Sequence, residues 1–302
     1  MKQVYIFCLA AAALFARSAQ AQTPVDGIFM EKNQVCAALL YGHDSWDEYW
    51  EGSLLRSNGN IGTVTTQNVQ AMVAVGVLSS DFNVIVALPY VWTNASKGTL
   101  AGQNGFQDFG IWAKYRAYSK PLGKGKLNLI AEGGLSTPVS DYNRDILPLS
   151  IGLGSRTASL RGMLNYYMDR GPYVNLHWGY TWRDDIKIDR TYYWSDGPHY
   201  TNEVVMPHVI DYAATLGFLN SRIKGELTYA QMITQGGSNI RRQDMPFAGN
   251  RFIAGRASAL VQYYLTKPKG ISIIANVGQV VSGLNVGKSL SYGGGLAYQF
   301  GY

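Results

Sequence analysis

Cysteine is nearly absent from this chain of 302 residues, which has two, Cys8 and Cys36. So few exclude a disulfide framework, and with only four histidines they also exclude zinc and iron–sulfur centres, which gather several such ligands at short spacing. Charge is sparse, at 15% of residues. The basic residues are scattered rather than clustered, so the pI of about 9.1 is not the footprint of a nucleic-acid binder. Long apolar runs are missing as well. No segment reaches the roughly 20 apolar residues that a membrane-spanning helix needs. What the chain has instead is 21 tyrosines, 7 tryptophans and 34 glycines.

The first segment, Met1 to Ala21, reads as a secretory signal, with Lys2 as its charged start, Val4 to Phe15 as its apolar run and Ala19-Gln20-Ala21 as a small-x-small cleavage site. Cys8 leaves with it, too far upstream of that site to be a lipidated first residue, and Cys36 remains alone. Losing Lys2 and Arg17 leaves 24 basic against 20 acidic residues, a net charge of +4 rather than +6. No linker rich in proline, serine or charge follows, so residues 22–302 are expected to form one exported domain.

The fold is written in alternation. From Leu290 every second residue is Leu290, Tyr292, Gly294, Leu296, Tyr298, Phe300 and Tyr302, while the other face is small and polar. Successive side chains of a strand point to opposite faces, so this is a strand with one apolar and one wet surface. Val174, Leu176, Trp178, Tyr180 and Trp182 alternate in the same way with Asn175, His177, Gly179, Thr181 and Arg183. Phe82 to Trp92 and Phe109 to Tyr115 repeat the pattern, and weaker strands are expected over 35–44, 69–78, 127–136, 155–168, 204–218, 222–234, 252–265 and 271–281. The mean hydropathy of −0.08 is what results when lipid-facing and lumen-facing residues cancel.

Connection lengths point the same way. Short turns are expected at 79–81, 119–126, 169–171, 220–221 and 267–270; the alternate connections, at 52–62, 94–105, 138–147, 187–200, 236–250 and 282–288, are longer except for the last. Long and short connections alternate in outer-membrane barrels, with the short ones periplasmic. The expectation is therefore all-β: a transmembrane antiparallel β-barrel of about twelve strands in a bacterial outer membrane. Its partners would be outer-membrane lipid, a small-molecule solute and the barrel-assembly machinery, met through the C-terminal strand; no cofactor, metal or nucleic acid is implied.

On this alternation the lumen carries Asp108, Lys114, Arg116, Glu132, Arg161, Asn165, His177, Arg183, Asp211, Lys224, Glu226, Arg256 and Gln262. Mixed charges on neighbouring strands can pair; Glu132, for example, falls between the strand of Lys114 and Arg116 and that of Arg161. They either fill and stiffen a narrow barrel or line a constriction on a solute path. The segment His43 to Glu51 joins carboxylates to aromatics at the external end of the first strand. It reads as an aromatic girdle under a solvated acidic rim, with a hard-cation site as the alternative. Whether residues 22–32 plug the lumen is left open by the pattern.

The segment Gly105-Phe106-Gln107-Asp108-Phe109-Gly110-Ile111-Trp112-Ala113-Lys114-Tyr115-Arg116 resembles the Gly-x-x-Asp and Lys-Tyr-Arg pattern of the outer-membrane meta-pathway phenol degradation family, grouped loosely with FadL-like hydrophobic-compound transporters. Tyr173 to Trp182, and Asn285-Val286-Gly287 leading into Gly294 to Phe300, are similar to it too. The resemblance spans about residues 105–302 and implies passive uptake of small hydrophobic or aromatic molecules. One departure is Thr137-Pro138-Val139-Ser140, where the family tends to show Pro-Thr-Gly.

Other classes stay in view. Outer-membrane phospholipases place a histidine two residues before Ser-Asn-Gly, whereas Ser57-Asn58-Gly59 follows Leu55 here, and a nucleophilic serine needs an adjacent base. His43-Asp44 and His208 with Asp211 are thin ground for an omptin-like protease. A structural barrel without transport is the remaining alternative.

Overall fold

In a computed structural model, which describes residues 23–241 and 245–302, the chain closes into a barrel of twelve antiparallel strands. The expected signal segment lies outside the described residues. The strands are β1 (Gln34–Trp46), β2 (Val64–Gly76), β3 (Phe82–Ala95), β4 (Asp108–Leu122), β5 (Gly125–Pro138), β6 (Thr157–Met168), β7 (Pro172–Arg183), β8 (His208–Leu219), β9 (Ile223–Gln235), β10 (Ile253–Tyr264), β11 (Ile271–Leu284) and β12 (Leu290–Gly301). Each pairs with its sequence neighbours, and β12 closes on β1 from Gln34↔Gly301 to Ser45↔Leu290. Closure leaves no sheet edge to hydrocarbon, where an unpaired backbone group would find no water.

The faces follow the alternation. Leu39, Leu135, Leu160, Trp178, Leu216, Leu227 and Leu296 are exposed on the outer wall, as lipid-facing residues must be. Ring pairs mark its two rims, Tyr180 with Trp182 at the long-loop end and Tyr298 with Phe300 at the other. Asn83, Lys114, Glu132, Asn165 and Lys224 are buried inside. A bulge at Ala117, where Arg116 pairs with Ile130 but Tyr118 with Leu129, shifts the parity of β4 and keeps Tyr118 outward.

Several boundaries differ from the sequence expectation. β2 starts at Val64 and not 69, because Thr65 to Asn68 are polar on both faces and carry no alternation. The turn expected at 119–126 shrinks to Gly123 and Lys124, since β4 and β5 stay paired to Leu122↔Gly125 in an exposed ribbon that needs no apolar face. Val204 belongs not to β8 but to a two-residue ribbon that pairs Ile186–Lys187 with Glu203–Val204. The external connections accordingly lengthen to 139–156 and 184–207.

Two connections pack tightly at the external end. In 139–156, Leu149 and Ile151 are fully buried against Ile61, Val64 and Val91, and Thr93 Oγ1 donates to the Leu149 carbonyl at 2.6 Å. Ser140 bonds the Phe106 carbonyl at the position where Pro-Thr-Gly is missing. Tyr142 donates to Asp108 at 3.1 Å; burial first, then that carboxylate, pushes the phenol above its ordinary pKa range and keeps the donor protonated. In 184–207, Ile186, Ile188, Tyr193, Val204 and Met206 form a small core with Phe247.

The acidic–aromatic segment is a folded hairpin. Glu48–Glu51 pairs with Leu54–Ser57, Glu48 is bridged by Lys288 at 2.8 Å, and Glu51 pairs with Arg56. With Glu48 and Glu51 already engaged by cations, the hairpin matches a rim better than a cation site.

Candidate solute path inside the barrel

The periplasmic half of the lumen is filled by residues 23–32, the segment preceding β1. Ile28 and Met30 are buried there against Cys36, Ala74, Ile85, Ile274 and Ala297 of the wall. A backbone drawn into a lumen brings its own donors and acceptors, and these need partners. Wall side chains supply them. Asn83 accepts from the Met30 amide at 3.0 Å and donates back to its carbonyl at 3.2 Å, and Asn175 donates to the Val25 carbonyl at 3.1 Å.

The strongest tie is ionic. Lys114 is wholly buried, and its ammonium reaches the Thr23 carbonyl, the Asp26 carbonyl and Asp26 Oδ1, each at 3.0 Å. All three of its donors are thereby used. Asp26 lies 3.8 Å from Lys224, which is also 3.1 Å from Glu226, and its carboxylate accepts from the Thr23 and Ile28 amides. A buried charge is tolerable only when paired and hydrogen-bonded; these contacts meet that condition. Phe29 packs with Ile130 and Met163, with Arg116 Cζ 4.4 Å and Lys114 Nζ 5.0 Å from its ring centre. Arg116 itself is bound by Asp81 at 2.9 Å.

Above this stopper runs a four-residue network. Arg161 on β6 bonds Glu132 on β5 at 2.9 Å and Asp211 on β8 at 3.0 and 3.2 Å, and His177 Nε2 on β7 lies 3.2 Å from Asp211. Register explains the meeting, since Arg161 is opposite both Glu132 and Gly179, and Gly179 is opposite Asp211. The missing side chain at Gly179 lets Arg161 reach across, because a Cβ there would lie 2.6 Å from Arg161 Cγ. Trp112 similarly lies flat on the inner wall over Gly110 and Gly134, where a Cβ would stand 2.2 and 2.1 Å from ring atoms. Nearer the mouth, Arg183 donates from its side chain to the Pro207 carbonyl at 3.4 Å, and Arg256 bonds Ser291.

All the sequence-derived lumen residues are thus on the inner face, but in different surroundings. Lys114, Arg116, Asn165, Lys224 and Glu226 surround the stopper. Glu132, Arg161, His177 and Asp211 meet in the mid-lumen network. Asp108, Arg183 and Arg256 lie toward the mouth, while Gln262 donates to Ser272 in the packed periplasmic half. Pattern reading missed Asp26, Phe29, Asn83, Trp112 and Asn175 as site residues. The apolar triplet Ile28-Phe29-Met30, ahead of the first strand and outside any alternation, was the available signal.

The sequence matches the family described as "Putative MetA-pathway of phenol degradation" over residues 60–267. The chain belongs to that family. An outer membrane channel from Pseudomonas putida F1 superposes with a TM-score of 0.71 at 15% identity, covering 93% of this chain and all of that one; the likeness establishes an outer-membrane barrel fold. The transport unit of the autotransporter AIDA-I from Escherichia coli (11% identity, 97% of each chain, TM-score 0.47) and the KdgM porin (10% identity, 86% of this chain and 98% of that, TM-score 0.42) lie further off. No curated protein matches the chain.

Proposed function

We propose that this family member is a passive, non-catalytic conduit for small hydrophobic or aromatic solutes across the outer membrane, exported by a signal cleaved after Ala21 and inserted by the barrel-assembly machinery through β12. The observation that carries the reading is the nature of the filling. A barrel of about eight strands can fill its lumen with side chains of its own wall, whereas a wider one holds water or a plug. Here the wall groups Asn83, Lys114, Asn175 and Lys224 are aimed at a separate segment, joined to β1 at one end. Such a stopper is removable while all twelve strands stay paired.

The family's link to phenol degradation and the channel from Pseudomonas putida F1 support the solute class and the passive mechanism. Swelling of vesicles with a lipopolysaccharide outer leaflet, which retards unaided entry of phenol, measured with and without the refolded full chain in phenol and in a sugar of similar size, tests the reading. Faster entry of phenol is expected. Equal rates with protein-free vesicles for both solutes would overturn transport in favour of a structural barrel.

A further inference from the structure

We infer that the seat of the Phe29 ring is an arene-binding site of the barrel, and that a monocyclic phenol entering it displaces the ring and unseats the stopper. The inference deepens the transport reading and takes from it only that the solute is aromatic.

Phe29 is the one aromatic residue of segment 23–32, and it is held as a ligand would be. Its ring has an apolar floor, Ile130 of β5 and Met163 of β6, and two cations over it, Arg116 at 4.4 Å and Lys114 at 5.0 Å. Both cations already have acidic partners, Asp81 and Asp26, so they are fixed in place. Packing alone would accept leucine or isoleucine, but two cations over one ring select for a π face.

Next to this seat, opposite Lys114 in the register of β4 and β5, stands an acceptor that phenylalanine leaves unused. Glu132 is the next inward-facing residue after Ile130 on β5; it is buried, and among the described residues its Oε1 has no hydrogen-bond partner. A buried acceptor left unmade is costly, and a hydrocarbon ring has no donor to give it. A phenol carries both parts, a ring for the two cations and a hydroxyl for the carboxylate. It therefore matches the seat better than the residue now in it.

The test is equilibrium binding of phenol to the refolded full chain in detergent, with cyclohexanol as a control of like size that lacks a π face. Phe29→Ala should bind phenol about tenfold more tightly than the parent, because no ring competes and a cation–π contact is of that order; cyclohexanol should gain far less. Phe29→Leu, which keeps the stopper anchored by volume, carries the test if the alanine variant does not fold, with a smaller gain in the same direction. A nitroxide at Val25→Cys should become mobile when phenol is added to the chain with Phe29 intact. Equal phenol affinity with and without the ring, or a label that stays immobile at saturation, would overturn the inference. If binding behaves as expected but the chain does not speed phenol entry into vesicles, the transport reading falls and the site stands.

Discussion

Asp26 Oδ1 and Lys114 Nζ meet at 3.0 Å inside the barrel, out of reach of solvent, although 88 residues separate them in sequence. The pair fastens the stopper to the wall of β4. Breaking a buried pair from one side leaves an uncompensated charge, at about 3–5 kcal/mol. Asp26→Ala should therefore unseat residues 23–32 while leaving the barrel folded. Single-channel recordings should show a larger and noisier conductance. The double variant Asp26→Leu with Lys114→Met removes both charges and should close the lumen again. A conductance unchanged in the single variant would mean that this pair does not hold the stopper.

Asn285 ties the external loops together. It sits in the left-handed region at φ 54°, which asparagine tolerates better than most residues. Its side chain accepts from the Gly52 amide at 2.7 Å and donates to the Arg251 carbonyl at 2.8 Å and to Asn239 at 2.9 Å. Asn285→Ala loses these bonds and strains the turn, a local loss of about 1–3 kcal/mol. Trypsin applied to intact cells should then cut faster near Arg251, with the turn at 169–171 still spared. Cleavage at that turn instead would invert the orientation.

Closure rests on the last strand. Beyond its backbone ladder to β1, Gln299 donates to Gln34 at 2.7 Å between the two strands. Removing residues 299–302 takes away that tie and two rim aromatics, Phe300 and Tyr302, and leaves the periplasmic end of β1 unpaired in lipid. The truncated chain should lose the heat-modifiable band of the folded form in gel electrophoresis. A normal band would show that the barrel closes elsewhere.

The wall was legible in the sequence because alternation is a local property. Leu176, Trp178 and Leu296 declare their face through their immediate neighbours. What filled the wall was not. The stopper's partners are spread from Asn83 to Lys224, and nothing in the periodicity of any one strand announces a segment that runs through the middle of all of them. The buried Leu149 and Ile151 fall between the connection expected at 138–147 and the strand expected at 155–168, and the alternation places them in neither, although hydrophobic residues at 146, 147, 149 and 151 beside a solvated connection are a usable warning. Lumen membership could thus be read residue by residue, whereas the pairings of Lys114 with Asp26 and of Arg161 with two acids needed the register between strands.

Trp178 and His177 are adjacent in sequence and on opposite sides of the wall, which makes them the sharpest probe of that wall. Trp178 is 55% exposed on the outer face, so Trp178→Arg places a charge in lipid at about 2–4 kcal/mol near the midplane and should impair folding. His177→Arg keeps the side chain beside the Asp211 carboxylate, now 3.2 Å from the imidazole. A cation there meets an acid, so the barrel should fold, with its lumen potential shifted toward anions. Arg161→Ala shifts it the other way, since it frees both Glu132 and Asp211 from their shared counter-charge, and the folded variant should turn cation-selective. Reversal potentials across a salt gradient read both changes. Unfolding by His177→Arg with tolerance of Trp178→Arg would invert the faces; two folded lumen variants with unaltered selectivity would remove the network from the ion path and leave it a brace.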